Sequence, residues 1–167
     1  MANLVIEEYD SEMISAQLEQ FGTYWLRVEF SQMLENLANE TRKYAHDKYG
    51  EDRVKAAVLF LHNALKPEEN AYGMAREIRS DDVLYVKKAS CLESAAILNM
   101  VLQKLGYESF LVLGYTGKDK IAPHAWNLVE IAGGERVADA ILNIYRKQDN
   151  TSPDGLKYIE QFHLLKR

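Results

Sequence analysis

The stretch 90–115, SCLESAAILNMVLQKLGYESFLVLGY, decides the fold class because its hydrophobic periodicity changes halfway along. In the first half, apolar residues recur at helical spacing, and the predicted helix ends at Gly106. After that glycine, the segment 109–115 is almost continuously apolar, which indicates a mostly buried strand. A helix that leads directly into strand-forming sequence favours the α+β class.

The segments that follow predict an antiparallel sheet. Segments 124–131 and 136–142 have strand character, and the Gly133-Gly134 pair between them indicates a hairpin. In the tail, apolar residues at 158, 159, 162 and 165 predict a short helix that packs on this sheet.

The region 1–65 is predicted to be a helical subregion within a single domain that spans 1–167. Apolar residues at helical spacing indicate helices near 11–21, 30–44 and 54–65. The segment 66–89 carries Pro67, Gly73 and a charged run, so an irregular or weakly helical surface segment is expected there.

Composition excludes several classes of function. The net charge is −5 and no basic block is present, which argues against nucleic-acid binding. No stretch approaches the roughly 20 apolar residues of a membrane span. With one cysteine, no internal disulfide can form, and the N-terminus lacks the pattern of a signal peptide. We expect a cytoplasmic protein, or an effector delivered without a cleaved signal.

The single cysteine, Cys91, follows a helix-capping pattern. Ser90 and Glu93 form the S-x-x-E capping box, so Cys91 is predicted to be the first residue of the helix. The positive end of the helix dipole favours a thiolate there, and unpaired N–H groups can bind an oxyanion. Taken alone, Cys91 is equally well explained as a residue that fills space.

A thiol nucleophile needs a base, and His124 is the best candidate among four histidines. His46 and His62 lie in helical stripes and His163 lies near the C-terminus, so these three are expected to be structural or exposed. His124 opens a strand after a loop rich in glycine, lysine and aspartate.

Asp139 is an acid inside an apolar strand, where an unpaired carboxylate costs several kcal/mol, and His124 is its expected partner. If Gly133-Gly134 is a two-residue turn, Leu128 opposes Asp139, and His124 and Asp139 share one face of the sheet. In that register, however, Asn143 lies across from His124. Either a bulge shifts the hairpin or Asn143 is the orienting group; Asp139 ranks first.

These residues, in this order, resemble the transglutaminase-like superfamily, relatives of papain-type thiol enzymes. The resemblance covers about 85–142 and comprises SCLESAA, a helix ending in Leu-Gly, a strand ending in Gly-Tyr, HAW, and an aspartate fifteen residues after the histidine. It implies that Cys91 is the nucleophile, His124 the base and acid, and Asp139 the orienting carboxylate. The fifteen-residue spacing favours Asp139 over Asn143.

The chain departs from the family pattern at Ala89, where glycine is usual, and at Arg136, where an aromatic residue is usual. Neither change removes a catalytic group. Trp126 is expected to pack on the sheet and Glu93 to serve the cap. No Cys-x-x-Cys pair and no acidic run is present, so neither a zinc nor a calcium site is predicted, and no cofactor is expected.

The predicted function is acyl transfer on an amide through a thioester at Cys91. Hydrolysis is favoured, by a protease or a protein-glutamine deamidase; a lysine acceptor would give a cross-linking transglutaminase. The substrate would be a protein or peptide offering a glutamine side chain or a backbone amide. Asn70, Tyr72 or Tyr85 is a candidate to help bind the oxyanion or the substrate.

Two other functions are also consistent with the sequence. The first is a catalytically idle copy of the fold that binds proteins through its helical N-terminal half. The second is an acyltransferase with a small-molecule donor, which would need a cofactor pocket, and no phosphate-binding glycine loop is evident.

Overall fold

A computed structural model describes residues 3–5, 25–29, 31–45, 50–68, 77–147 and 154–164. The helices of this part are α1 (Gln32–Tyr44), α2 (Glu51–Ala64), α3 (Ser80–Val86) and α4 (Cys91–Lys104). The strands are β1 (Asn3–Val5), β2 (Trp25–Glu29), β3 (Lys66–Pro67), β4 (Glu77–Arg79), β5 (Lys88–Ala89), β6 (Glu108–Gly117), β7 (Ile121–Ile131), β8 (Gly134–Asp139), β9 (Ile144–Lys147) and β10 (Lys157–Leu164). The helix predicted at 11–21 lies outside the described residues.

Helix α4 is the centre of the fold. Every residue from Leu92 to Leu102 is buried, so this helix is enclosed on all sides rather than on one face, and the buried residues include the polar Glu93, Ser94 and Asn99. It packs against α1 and α2 on one side and against β6 and β7 on the other. The predicted apolar stripe of α2 faces the same core: Val54, Ala57, Val58, Leu61 and Leu65 are all buried. The nucleophile candidate therefore begins the most tightly enclosed helix of the described chain.

The main sheet has five antiparallel strands in the order β10-β6-β7-β8-β9. Successive residues alternate between its two faces, as the pleat requires. Leu111, Leu113, Ala125, Val129 and Ala138 pack in the core around α4, whereas Val112, Trp126, Leu128, Val137 and Tyr158 form a second cluster. The α+β class, with a helix that starts at Cys91 packed on an antiparallel sheet, is confirmed.

The tail is a strand, so the predicted C-terminal helix is wrong. Strand β10 pairs with β6, Tyr158 opposite Thr116 and Ile159 opposite Tyr115. The spacing of apolar residues in the tail fits either structure. The free edge of β6 decides between them, because its unpaired backbone groups are satisfied by adding a strand.

The region 1–65 is not helical throughout. Strands β1 and β2 pair antiparallel, and β2 pairs parallel with β4, which gives a small three-stranded sheet. The segment 66–89 is also more regular than predicted, with α3 and a parallel β3–β5 pair. These pairings join segments far apart in the chain, so a local pattern does not reveal them. No helix in the described ranges is long and apolar enough to cross a membrane.

Candidate active site

Cys91 is the first residue of α4, as the capping box predicts. Ser90 is the N-cap in an extended conformation, and its hydroxyl accepts a hydrogen bond from the Glu93 backbone N–H at 3.4 Å. The Cys91 side chain is half-buried. The sulfur therefore lies at the positive end of the helix dipole, among backbone N–H groups that have no partner within the helix.

His124 and Asp139 form a buried hydrogen-bonded pair. The distance from His124 Nε2 to Asp139 Oδ2 is 2.7 Å, and the two residues are 7% and 2% exposed. Because Nε2 is occupied by the carboxylate, Nδ1 is the ring nitrogen that remains for Cys91, which also contacts the imidazole. The structure thus brings together the three residues that the sequence predicts for catalysis.

The register of the hairpin differs from the simple one and explains how Asp139 reaches His124. The turn is Ala132-Gly133 rather than Gly133-Gly134, with Glu130 opposite Glu135 and Leu128 opposite Val137. The pairing is displaced by two residues, so each side chain stays on its predicted face while Asp139 moves toward the start of β7. Asn143 lies exposed in the turn that follows β8. Asp139, not Asn143, is the partner of His124.

The charges around His124 favour its protonated form. Burial lowers the pKa of the imidazole, but the hydrogen bonds and charges of Asp139 and Cys91 outweigh burial and raise the pKa from 6.5 to about 10. Near neutral pH the ring is therefore an imidazolium, with one N–H for Asp139 and one for Cys91. This arrangement is suited to stabilising a thiolate on Cys91 and to delivering a proton to a leaving group.

Two residues of the site were missed in the sequence. The Tyr158 hydroxyl donates to Asp139 Oδ2 at 2.9 Å, and it comes from the tail that was predicted to be a helix. Asn127 is fully buried, and its amide nitrogen donates to the Ala95 carbonyl at 2.9 Å, which ties α4 to β7. An asparagine within an apolar strand was a detectable signal. Tyr158 gave no local signal.

The remaining candidates of the sequence lie apart from this cluster or outside the described residues. His62 contacts the Ala140 carbonyl through Nδ1 at 2.8 Å, as expected of a structural histidine. Trp126 is fully buried and packs against the Tyr158 ring at 5.1 Å. Tyr85 is 81% exposed on α3, so its role toward the substrate or oxyanion stays a prediction.

Asn70, Tyr72 and His46 lie outside the described residues, as does the side chain of His163. Among the residues that the structure describes, no group of three or more His, Cys, Asp and Glu side chains is arranged to hold a metal ion.

Solved structures that are similar to this chain include the following two. One is a transglutaminase with a TM-score of 0.51 and 17% identity; the match covers 79% of this chain and 33% of that one. The other is a candidate cysteine protease from Cytophaga hutchinsonii, with a TM-score of 0.50, 14% identity, and coverage of 96% and 57%. The chain spans less than two thirds of either structure's length. No protein-family model and no curated protein matches it. The fold is transglutaminase-like.

Proposed function

We propose that this protein is a cysteine-dependent enzyme that transfers the acyl group of an amide, with Cys91 as nucleophile. The main support for the proposal is the interaction of His124 with both Cys91 and Asp139, which places the imidazole between the thiol and a buried carboxylate. The similar folds of a transglutaminase and a candidate cysteine protease support the same class of chemistry.

In the first half of the reaction, the Cys91 thiolate attacks the amide carbonyl carbon and forms a carbon–sulfur bond. The carbonyl oxygen becomes an oxyanion, which the N–H groups at the start of α4 can stabilise. As the carbon–nitrogen bond breaks, His124 donates its Nδ1 proton to the leaving nitrogen. The products are a thioester, a neutral amine or ammonia, and a neutral imidazole.

The second half of the reaction follows from the same electrostatics. In the thioester the sulfur carries no charge, so the contribution of Cys91 that raises the pKa of His124 is lost, while burial continues to lower it. The neutral imidazole can then take a proton from the incoming water as the water oxygen attacks the thioester carbon. The carbon–sulfur bond breaks, which releases the carboxylic acid and restores the Cys91 thiolate beside a protonated His124. Asp139 holds the ring in place throughout.

Water as the acceptor gives hydrolysis, and we favour this outcome on a protein or peptide substrate in a reducing compartment. Cleavage of a backbone amide would make the protein a protease, and attack on a glutamine side chain would make it a deamidase. A lysine amine as the acceptor would instead give a cross-link.

The first experiment measures the rate of Cys91 alkylation by iodoacetamide as a function of pH. Wild type is compared with His124→Ala and Asp139→Asn, and Asn143→Ala serves as the matched control because Asn143 is the exposed alternative to Asp139. We expect wild type and the control to react with iodoacetamide much faster than an ordinary thiol near neutral pH, and the other two variants to lose this reactivity.

If wild type reacts like an ordinary thiol, or if His124→Ala leaves the profile unchanged, the proposal is wrong and the protein-binding module becomes the better interpretation. Mass spectrometry of glutamine-containing peptides incubated with the enzyme then identifies which reaction takes place. Cleavage, deamidation and cross-linking to lysine give three different products.

A further inference from the structure

We propose that Tyr158 is a positioning residue of this site, which holds the Asp139 carboxylate in the orientation that receives His124. Its role in catalysis rests on the function proposed above, whereas the contact that suggests it is a property of the fold. Tyr158 lies on the last strand, outside the region 85–142 in which the sequence places the catalytic motifs.

The carboxylate of Asp139 is held by three donors. Oδ2 accepts hydrogen bonds from His124 Nε2 at 2.7 Å and from the Tyr158 hydroxyl at 2.9 Å, and Oδ1 accepts one from the Leu142 backbone N–H at 3.3 Å. Rotation of the carboxylate breaks all three bonds. The Tyr158 hydroxyl therefore resists the rotation that would remove Oδ2 from the imidazole.

The phenol remains a donor across the working pH range. Burial raises the pKa of Tyr158 above its usual value, and the charge of Asp139 raises it further. Of the three donors to Asp139 named above, the Tyr158 hydroxyl is the one that comes from β10, which pairs with the edge of β6 opposite to β7. The final strand thereby contributes to the orientation of the catalytic carboxylate.

The Tyr158 ring is itself held by contacts with Trp126 and Arg146. It packs edge-to-face against Trp126 with ring centres 5.1 Å apart, and the Arg146 guanidinium lies 5.2 Å from the ring centre. Arg146 is in turn fixed by Asp154 at 2.8 Å and by the Leu156 carbonyl at 2.7 Å. Such clamping places the hydroxyl in one position, as a positioning residue requires.

A positioning role and a merely structural role differ in the step that they affect. Alkylation of Cys91 depends on the thiolate, which the charge of Asp139 supports through His124 as long as the carboxylate is present. Hydrolysis of an acylated Cys91 depends in addition on a correctly oriented imidazole base. A misplaced Asp139 should therefore slow hydrolysis of the thioester more than it slows alkylation. A purely structural defect would lower stability and affect both rates alike.

The test uses the intact protein with p-nitrophenyl acetate as the acyl donor. Attack by the Cys91 sulfur forms the thioester bond and releases p-nitrophenolate in a burst, and water then cleaves the thioester to acetate and regenerates the thiol. Tyr158→Phe is compared with wild type. Tyr145→Phe is the matched control because Tyr145 lies on β9, at the opposite edge of the sheet from β10, and packs against the cluster around α4. Cys91→Ala gives the background rate.

We expect Tyr158→Phe to hydrolyse the acetyl-enzyme about tenfold more slowly than wild type, as loss of a hydrogen bond to a charged group predicts. Its alkylation rate and the size of its burst should stay within about twofold of wild type, since one oxygen is removed and the ring is kept. Tyr145→Phe should match wild type in all three measurements.

Equal hydrolysis rates in Tyr158→Phe and wild type would overturn the positioning role and leave the proposed function intact. An equal loss in Tyr145→Phe would also overturn it, because the effect would then not depend on contact with Asp139. Absence of any Cys91-dependent burst in the wild type would overturn the proposed function itself.

Discussion

The substitution Gly114→Ala tests the close approach of β10 to β6, on which the position of Tyr158 depends. Gly114 lies opposite Glu160 on β10 and opposite His124 on β7. A Cβ at this position would lie 2.1 Å from the Ile159 carbonyl oxygen and 2.8 Å from Trp126 Cη2. The first of these atoms belongs to the backbone of the neighbouring strand, so a side-chain rotation cannot relieve the overlap.

We expect a cost at the upper end of that for overpacking, about 3 kcal/mol. For a chain of this size that cost lowers Tm by roughly 6–12 °C. Urea unfolding gives the change in free energy, and the decay of the acetyl-enzyme reports whether Tyr158 has moved away from Asp139. Both stability and thioester hydrolysis should fall.

Gly133→Ala is the matched control for this substitution. The nearest atom to its Cβ would be a terminal nitrogen of the Arg136 side chain at 3.0 Å, and a shift of a few tenths of an ångström relieves this contact. We expect this control to lie within about 1 kcal/mol of wild type. If Gly114→Ala unfolds at the same urea concentration as the control, the strands do not approach as closely as described, and the reasoning about Tyr158 is refuted.

Three further predictions concern stability, each measured by urea unfolding. The pKa of His124 is about 10 in the folded protein against 6.5 in the unfolded chain, so its protonated form stabilises the fold fully below pH 6.5. Wild type should therefore lose stability between pH 6.5 and 10. If the free energy of unfolding of His124→Gln falls with pH at the same slope, this explanation is contradicted. Asn127→Ala should cost about 1–2 kcal/mol because the buried Ala95 carbonyl loses its donor, and a neutral result would mean that this contact does not hold α4 on the sheet. Ser90→Ala should cost about 1 kcal/mol through loss of the cap on Glu93 N–H, whereas Ser90→Gly should cost only a few tenths; equal losses would argue against the cap.

The elements that carry the catalytic candidates could be predicted because their signals are local. The capping box at Ser90 marks the start of α4, and Gly106 marks its end. Alternation of side chains gives β6, β7 and β8, and an acid in an apolar strand requires a partner. Even with the wrong register, the prediction that His124 and Asp139 share a face was correct, since a displacement by two residues preserves the face.

What the local pattern could not supply is the pairing of distant segments. The two-residue displacement of the hairpin, the addition of β10 to the edge of β6, and the donation from Tyr158 to Asp139 all depend on which backbone groups meet in the folded chain. A pattern of apolar residues specifies which side of an element is buried, but several partners can bury it equally well. The sequence by itself therefore predicts the roles proposed for Cys91, His124 and Asp139. The hydrogen bond from Tyr158 to Asp139 depends on the tertiary structure, because it forms only when β10 pairs with the edge of β6.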